Sequence, residues 1–146
     1  MAIIDYLGVQ VALKTILDND SRTEDYTIEV EPEYDLITDK MPYVAIWLDS
    51  WETPSTDEII GGTNPFRTFL NLEVWMYDFN LENYTGAGLR DTMIGKVKEV
   101  IKENRTINDN VLVTTFRGGT FDNQKNDRGL GFFKGVSLRI QCEVRE

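Results

Sequence analysis

The 146-residue chain predicts one domain of the α+β class. Three observations carry that expectation. Two stretches, 2–18 and 89–104, repeat apolar residues at helical spacing. Five others alternate with a period of two. They come in the order helix, three strands, helix, two strands.

The strand from Arg67 to Asn80 organises the rest. Leu70, Leu72, Val74 and Met76 form a plain aliphatic face; Phe69, Asn71, Glu73, Trp75, Tyr77 and Phe79 form a mixed one. Such a strand has something to bury on both sides, so it belongs in the middle of a sheet. Its second face meets either a partner or the other half of the chain's own core.

The first helix carries Tyr6, Val9, Leu13, Ile16 and Leu17 on one stripe. A second apolar strip, Ile4, Leu7 and Val11, means that the helix is deeply buried or shared with another chain. From Thr27 the chain alternates, with Ile28, Val30, Pro32, Tyr34 and Leu36 against Glu29, Glu31, Glu33 and Asp35. That is a half-exposed strand, and Pro32 places it at a sheet edge or a bulge. Tyr43 to Trp51 is the next strand, with Val44, Ile46 and Leu48 pointing one way and Tyr43, Ala45, Trp47 and Trp51 the other. Residues 52–66 then form a long loop, of the kind that usually has a function or lacks order. Ile59 and Ile60 stand at its otherwise polar tip, either as a contact point or tucked back onto the body. After the central strand, 80–88 reads as a turn. The second helix follows, with Leu89, Met93, Val97, Val100 and Ile101 apolar and Arg90, Lys96, Lys98, Glu99 and Lys102 opposite. A strand at 111–117, a polar turn region at 118–131 around Asp127-Arg128-Gly129, and a strand at 132–145 close the chain as a hairpin.

Charge is acidic and uneven. Residues 1–66 hold 14 Asp and Glu against 3 Lys and Arg, a net of −11, whereas residues 111–146 carry a net of +2. An acidic total argues against binding that neutralises nucleic-acid phosphates. The asymmetry would let one copy's acidic half meet another copy's basic part; randomly clustered solvated charge is the plainer reading. The amino terminus has no basic run followed by an apolar one, and no apolar stretch is long enough to span a bilayer, so neither a signal peptide nor a membrane partner is expected.

Catalytic chemistry is sparse. Without histidine, every Ser-His or Cys-His nucleophile is excluded, and zinc lacks ligands. Cys142, the single cysteine, has the inward parity of a core strand and reads as inert. The window from Asp18 to Glu29 resembles a calcium loop in its acids, but Thr23 stands where the turn glycine belongs and Arg22 where a ligand belongs. No enzyme activity, metal or cofactor is expected. Trp47, Trp51, Trp75, Tyr77 and Phe79 share one strand parity, which makes them an oligomer interface or the second half of an ordinary core.

Taken together, these residues resemble the tail terminator (tail completion) proteins of long-tailed bacteriophages. The likeness rests on the amphipathic opening helix, on Met41-Pro42-Tyr43-Val44-Ala45-Ile46-Trp47-Leu48, and on Leu70-Asn71-Leu72-Glu73-Val74-Trp75-Met76-Tyr77 followed by the Leu89–Ile101 helix. The fourth feature is the final strand, from Phe132-Phe133-Lys134-Gly135 to Ile140. The resemblance implies a mixed, mostly antiparallel sheet with both helices on one face. It implies hexameric rings that cap the tail tube, end its polymerisation and join it to the neck or connector at the head–tail junction of the virion. The aromatic set would then lie between copies. Glu52, Asp57, Glu58, Ile59 and Ile60 of the loop would touch tube or neck. Glu29, Glu31 and Glu33 would line a lumen that repels the DNA passing through it. A neck or head-completion protein, and an acidic inhibitor of a nuclease or DNA-binding partner, are the alternatives.

Overall fold

Alternation from Arg67 onward produces the middle of a six-stranded sheet. In chain order the elements are α1 (Tyr6–Asn19), β1 (Thr27–Val30), β2 (Tyr43–Glu52), β3 (Arg67–Asn80), α2 (Asn83–Glu103), β4 (Val113–Phe116), β5 (Phe121–Lys125) and β6 (Phe132–Arg145). The structure, a computed structural model, describes residues 5–33, 36–53 and 67–145, with the backbone alone at 67 and 145. Strands run across the sheet as β1-β2-β3-β6-β4, and β5 pairs with β6 beside β4. Among the described residues only β1 and β2 are parallel; every other pairing is antiparallel. The α+β class and the mixed, mostly antiparallel sheet are therefore as expected.

The core lies between the sheet and its two helices. Leu70, Leu72, Val74 and Met76 of β3 line up with Val136, Leu138, Ile140 and Cys142 of β6 and with Val44 and Ile46 of β2. Val9, Leu13, Ile16 and Leu17 of α1 and Met93, Val97, Val100 and Ile101 of α2 cover this one face. An isolated helix as short as α1 is marginal in water, and helices in folded proteins owe most of their stability to a packed apolar face, so that burial is what holds both in place. Asp5 caps α1, its Oδ1 accepting from the Gly8 N–H at 2.9 Å. The second apolar strip of α1 is not deeply buried: Leu7 is 57% and Val11 46% exposed, while residue 4 lies outside the described residues. Among the described residues, no helix is long and apolar enough to cross a membrane.

Four expectations need correction. The strand expected over 27–36 stops at Val30, because Glu31 turns into the left-handed region (φ 45°) and Pro32 follows it. The Glu31 carboxylate holds that turn by accepting from Gln10 Nε2 and from the Leu48 N–H, each at 2.9 Å. Helix α2 begins at Asn83, inside the expected turn. Its glycines depress helix propensity, but Gly86 lets the first turn approach β6, where a Cβ would stand 3.1 Å from Lys134 Cγ. Leu89 consequently sits at the margin of the apolar stripe, 39% exposed.

The third correction is β5, which lies in the expected turn region. Its sequence, Phe-Asp-Asn-Gln-Lys, has no apolar alternation, and its pairing comes from the long β6 beside it. Between β4 and β5 the register on β6 shifts by one residue, which makes the two strands one bulged edge. Gly118 (φ 89°) makes that bulge, and a Cβ on Gly119 would collide with the Ser137 carbonyl oxygen at 1.8 Å. The tight turn itself falls at Asp127-Arg128-Gly129, as expected.

The fourth is the parity of Trp51. Register slips between Leu48 and Ser50, so Ser50 opposes Asn71 and Trp51 opposes Leu70. A one-residue slip turns every following side chain to the other face. Trp51 therefore stands on the helix side of the sheet, 64% exposed, and not with Trp47.

Candidate interaction surface

The sheet face without helices is built from pairs of large and small residues. Across β2, β3 and β6 the aligned rows are Ala45–Trp75–Ser137, Tyr43–Tyr77–Gly135 and Trp47–Glu73–Arg139. Small neighbours make room for the rings: a Cβ on Gly135 would lie 2.2 Å from Tyr77 Cε1, and one on Gly131 2.3 Å from Phe79 Cζ. Trp75 and Tyr77 stack with centroids 6.0 Å apart, and Phe79 tilts onto Phe133 at 5.2 Å. Tyr77 donates its hydroxyl to Asp122 Oδ2 at 2.7 Å. At 4% exposure the Tyr77 ring is already covered within one chain, whereas Trp47, Trp75 and Phe79 are half-buried. Of the five aromatic residues expected at an interface, the structure brings together Trp47, Trp75, Tyr77 and Phe79 and sends Trp51 elsewhere.

A polar band crosses the same face. Glu73 faces Arg139 at 3.5 Å and accepts from Trp75 Nε1 at 3.3 Å. Arg117 donates to Gln141 Oε1, Gln141 to Asn71 Oδ1, and Asn71 to Ser50 Oγ and Glu52 Oε1. Ser50, Glu52, Asn71, Arg117, Arg139 and Gln141 rim a depression of about 440 Å³. It holds no thiol or imidazole; Arg117 and Glu52 bond the neutral amides of Gln141 and Asn71, and Arg139 pairs with Glu73. Cys142 is buried on the helix side, and burial pushes its thiol up to about 11, out of the reactive range. Among the described residues, no group of three or more acids or cysteines is placed to hold a metal. In the window that resembles a calcium loop, each matching acid is taken by a cation: Asp18 by Lys14, Glu29 by Lys40, and Asp20 by the position-five residue, Arg22. It binds Asp20 through its side chain (2.8 and 2.9 Å) and also pairs with Glu103. Those hydrogen bonds hold the Asp20 carboxyl down to about 2 and lower that of Glu103.

The three carboxylates expected to line a lumen are not equivalent. Glu29 points to the helix-free face and pairs with Lys40 at 2.9 Å, Glu31 is tied to Gln10 and Leu48, and Glu33 is exposed. Of the contact loop, Glu52 is exposed at the end of β2; Asp57, Glu58, Ile59 and Ile60 lie outside the described residues.

Among the described residues, both ends of the sheet are open strands of contrasting charge. At one end, Thr27 and Glu31 donate their N–H groups to Pro42 and Ile46, so the main-chain groups of Ile28 and Val30 point outward. Residues 24–33 around them hold five acids and no base. At the other end, Arg117 donates its N–H to Arg139, so by alternation the main-chain groups of Thr114 and Phe116 point outward. Beside this edge stand Lys98 and Lys102 near the carboxyl end of α2 and Arg105 just beyond it. Sequence reasoning missed this basic groove. Its signal was the i, i+4, i+7 spacing of the three cations, which reads equally well as an ordinary solvated helix face.

No family model and no curated protein matches the chain. Among solved structures, a chain of the "Virion of native gene transfer agent (GTA) particle" aligns over 92% of this chain and 93% of its own length. The two share 9% sequence identity at a TM-score of 0.42, a likeness too weak to carry an argument.

Proposed function

We propose that this chain is a structural subunit that assembles head to tail into a ring, and that the ring caps a bacteriophage tail tube at the head–tail junction. The observation that carries the reading is the pair of open sheet edges, one acidic and one lined by α2 cations. An interface between two different patches of the same chain propagates around an axis and closes as a ring when the rotation permits. The element order and the strand patterns that resemble tail terminator proteins supply the rest: a hexamer that stops tube polymerisation and presents a surface to the neck or connector. Trp47, Trp75 and Phe79, half-buried on the helix-free face, are the aromatic groups left for contact with other subunits. The 52–66 loop, with Glu52, Asp57, Glu58, Ile59 and Ile60, is assigned to the tube or the neck. In a lumen, Glu29 and Glu33 would repel DNA and let it pass unbound, while Glu31 acts inside its own chain.

Electron microscopy of the purified protein mixed with tail tubes tests this reading. Rings at one end of tubes of fixed length are the expected result. Protein found on filled heads and absent from tube ends would move the assignment to the neck, and binding to neither would sink it.

A further inference from the structure

The β4 edge of the sheet is a groove as well as a border. Two adjoining depressions of about 300 and 430 Å³ share Lys102, Arg105 and Phe116, and they run between the carboxyl end of α2 and β4. The floor is the outer edge of β4, with the main-chain donors and acceptors of Thr114 and Phe116 facing into it. The wall carries Lys98, Lys102 and Arg105, all exposed. Lys98 Nζ sits 5.6 Å from the centre of the Phe116 ring, which pins it over the groove. Glu99 also lines the wall, but Arg22 of the same chain draws its carboxylate away at 3.7 Å. The local field is therefore positive on a protein whose total charge is −10.

We infer that this groove takes the β1 edge of a second copy, so that the two sheets join strand to strand. The occupant is chosen by complementarity. An incoming strand must offer outward main-chain groups and carboxylates beside them. The β1 edge offers Ile28 and Val30 for the pairing, and the exposed Glu24 and Asp25 lead into it. Main-chain bonds hold the two strands together, and the charges choose which edges meet and suppress like-edge pairing. The inference rests on the head-to-tail reading above and names the surfaces that would make it.

Sedimentation of the full chain at low salt tests it, using the wild type, Lys98→Glu/Lys102→Glu, Glu24→Lys/Asp25→Lys, and an equimolar mixture of the two variants. Each variant alone should self-associate about tenfold more weakly or worse, and the mixture should recover association because each supplies the edge that the other's groove now accepts. Hydrogen exchange of the assembled wild type should protect the Thr114 and Phe116 amides. Folded variants that associate like the wild type, a mixture that recovers nothing, unprotected Thr114 and Phe116 amides, or a wild type that stays monomeric at every concentration would each overturn the inference. Tube-capping separates the two readings. If Lys98→Glu/Lys102→Glu caps tubes as the wild type does, the groove is wrong and the terminator reading stands. If charge-dependent association is seen without any tube binding, the terminator reading falls and the groove stands.

Discussion

The two faces of this sheet are made of different material. Under the helices, β2, β3 and β6 present aliphatic side chains that two helices cover almost completely. On the other face the same strands present rings seated over glycine, alanine and serine, and a band of polar groups that bond along the sheet. The first face gains by excluding water. The second organises itself within one chain and still leaves Trp47 and Trp75 half-exposed. The difference teaches where stability resides: substitutions under the helices should act strongly on folding, and those on the helix-free face should act less on folding and, in the assembly proposed above, more on subunit contact.

The sharpest break of that contrast is Leu72→Ala. Leu72 is fully buried at the centre of β3, and its truncation should cost about 2–5 kcal/mol through lost burial and the remaining cavity. Denaturant titration of the purified variant measures it, and a cost under about 1 kcal/mol would mean that the helices do not cover this face.

Glycine substitutions probe the second face. Gly135→Ala should destabilise by about 1–3 kcal/mol, because the new Cβ meets the buried Tyr77 ring, which is fixed by its hydroxyl bond to Asp122. Gly95→Ala is the contrast. Gly95 is exposed within α2, and a methyl group there would meet nothing within 4 Å, so the change should stabilise by about 0.5–1 kcal/mol. Thermal unfolding of the pair reads both signs at once.

The smallest effect lies outside both faces, at Arg22. It ties the turn after α1 to the end of α2 through Asp20 and Glu103, whose carboxyls it depresses. A depressed carboxyl contributes stability above its ordinary range and loses it as the pH falls. For Asp20 the loss runs from 3.8 to about 2. Arg22→Ala should therefore be slightly less stable than wild type near neutral pH, with a difference that shrinks through that window and vanishes below it. Denaturation midpoints across the acid range check this, and a gap that widens on acidification would contradict it. The effect stays modest because the groups are solvent-screened.

Much of this was legible in advance because burial repeats. Strand β3 spans 67–80 as its alternation implies, and the buried stripes of α1 and α2 are largely those their spacing predicts, apart from Leu89 at the rim, Tyr6 only partly buried and Gln10 buried without having been expected. What escaped depends on partners remote in sequence. β5 exists because β6 is long enough to hold it, and its own residues carry no strand signal. The first turns of α2 exist because Gly86 fits against Lys134. Trp51 left the aromatic set because one bulge reverses parity, which a count by twos cannot see. At the candidate surface, parity placed Trp47, Trp75, Tyr77 and Phe79 correctly on one face. It could not tell that Tyr77 is consumed internally, since that depends on Gly135 and Asp122 coming alongside.

The bulge at Gly118 and Gly119 also carries geometry outward. It divides the outer border of β6's neighbour into two short runs, Val113–Phe116 and Phe121–Lys125, that are out of step by one residue. A neighbouring molecule laid along the first run is carried out of register with the second, so stacking into flat, endless ribbons is frustrated. In the head-to-tail assembly proposed above, each added subunit would arrive at a set angle to the last. The kink would then act as a protractor, since a small constant turn per subunit is what separates a closed polygon from a fibre.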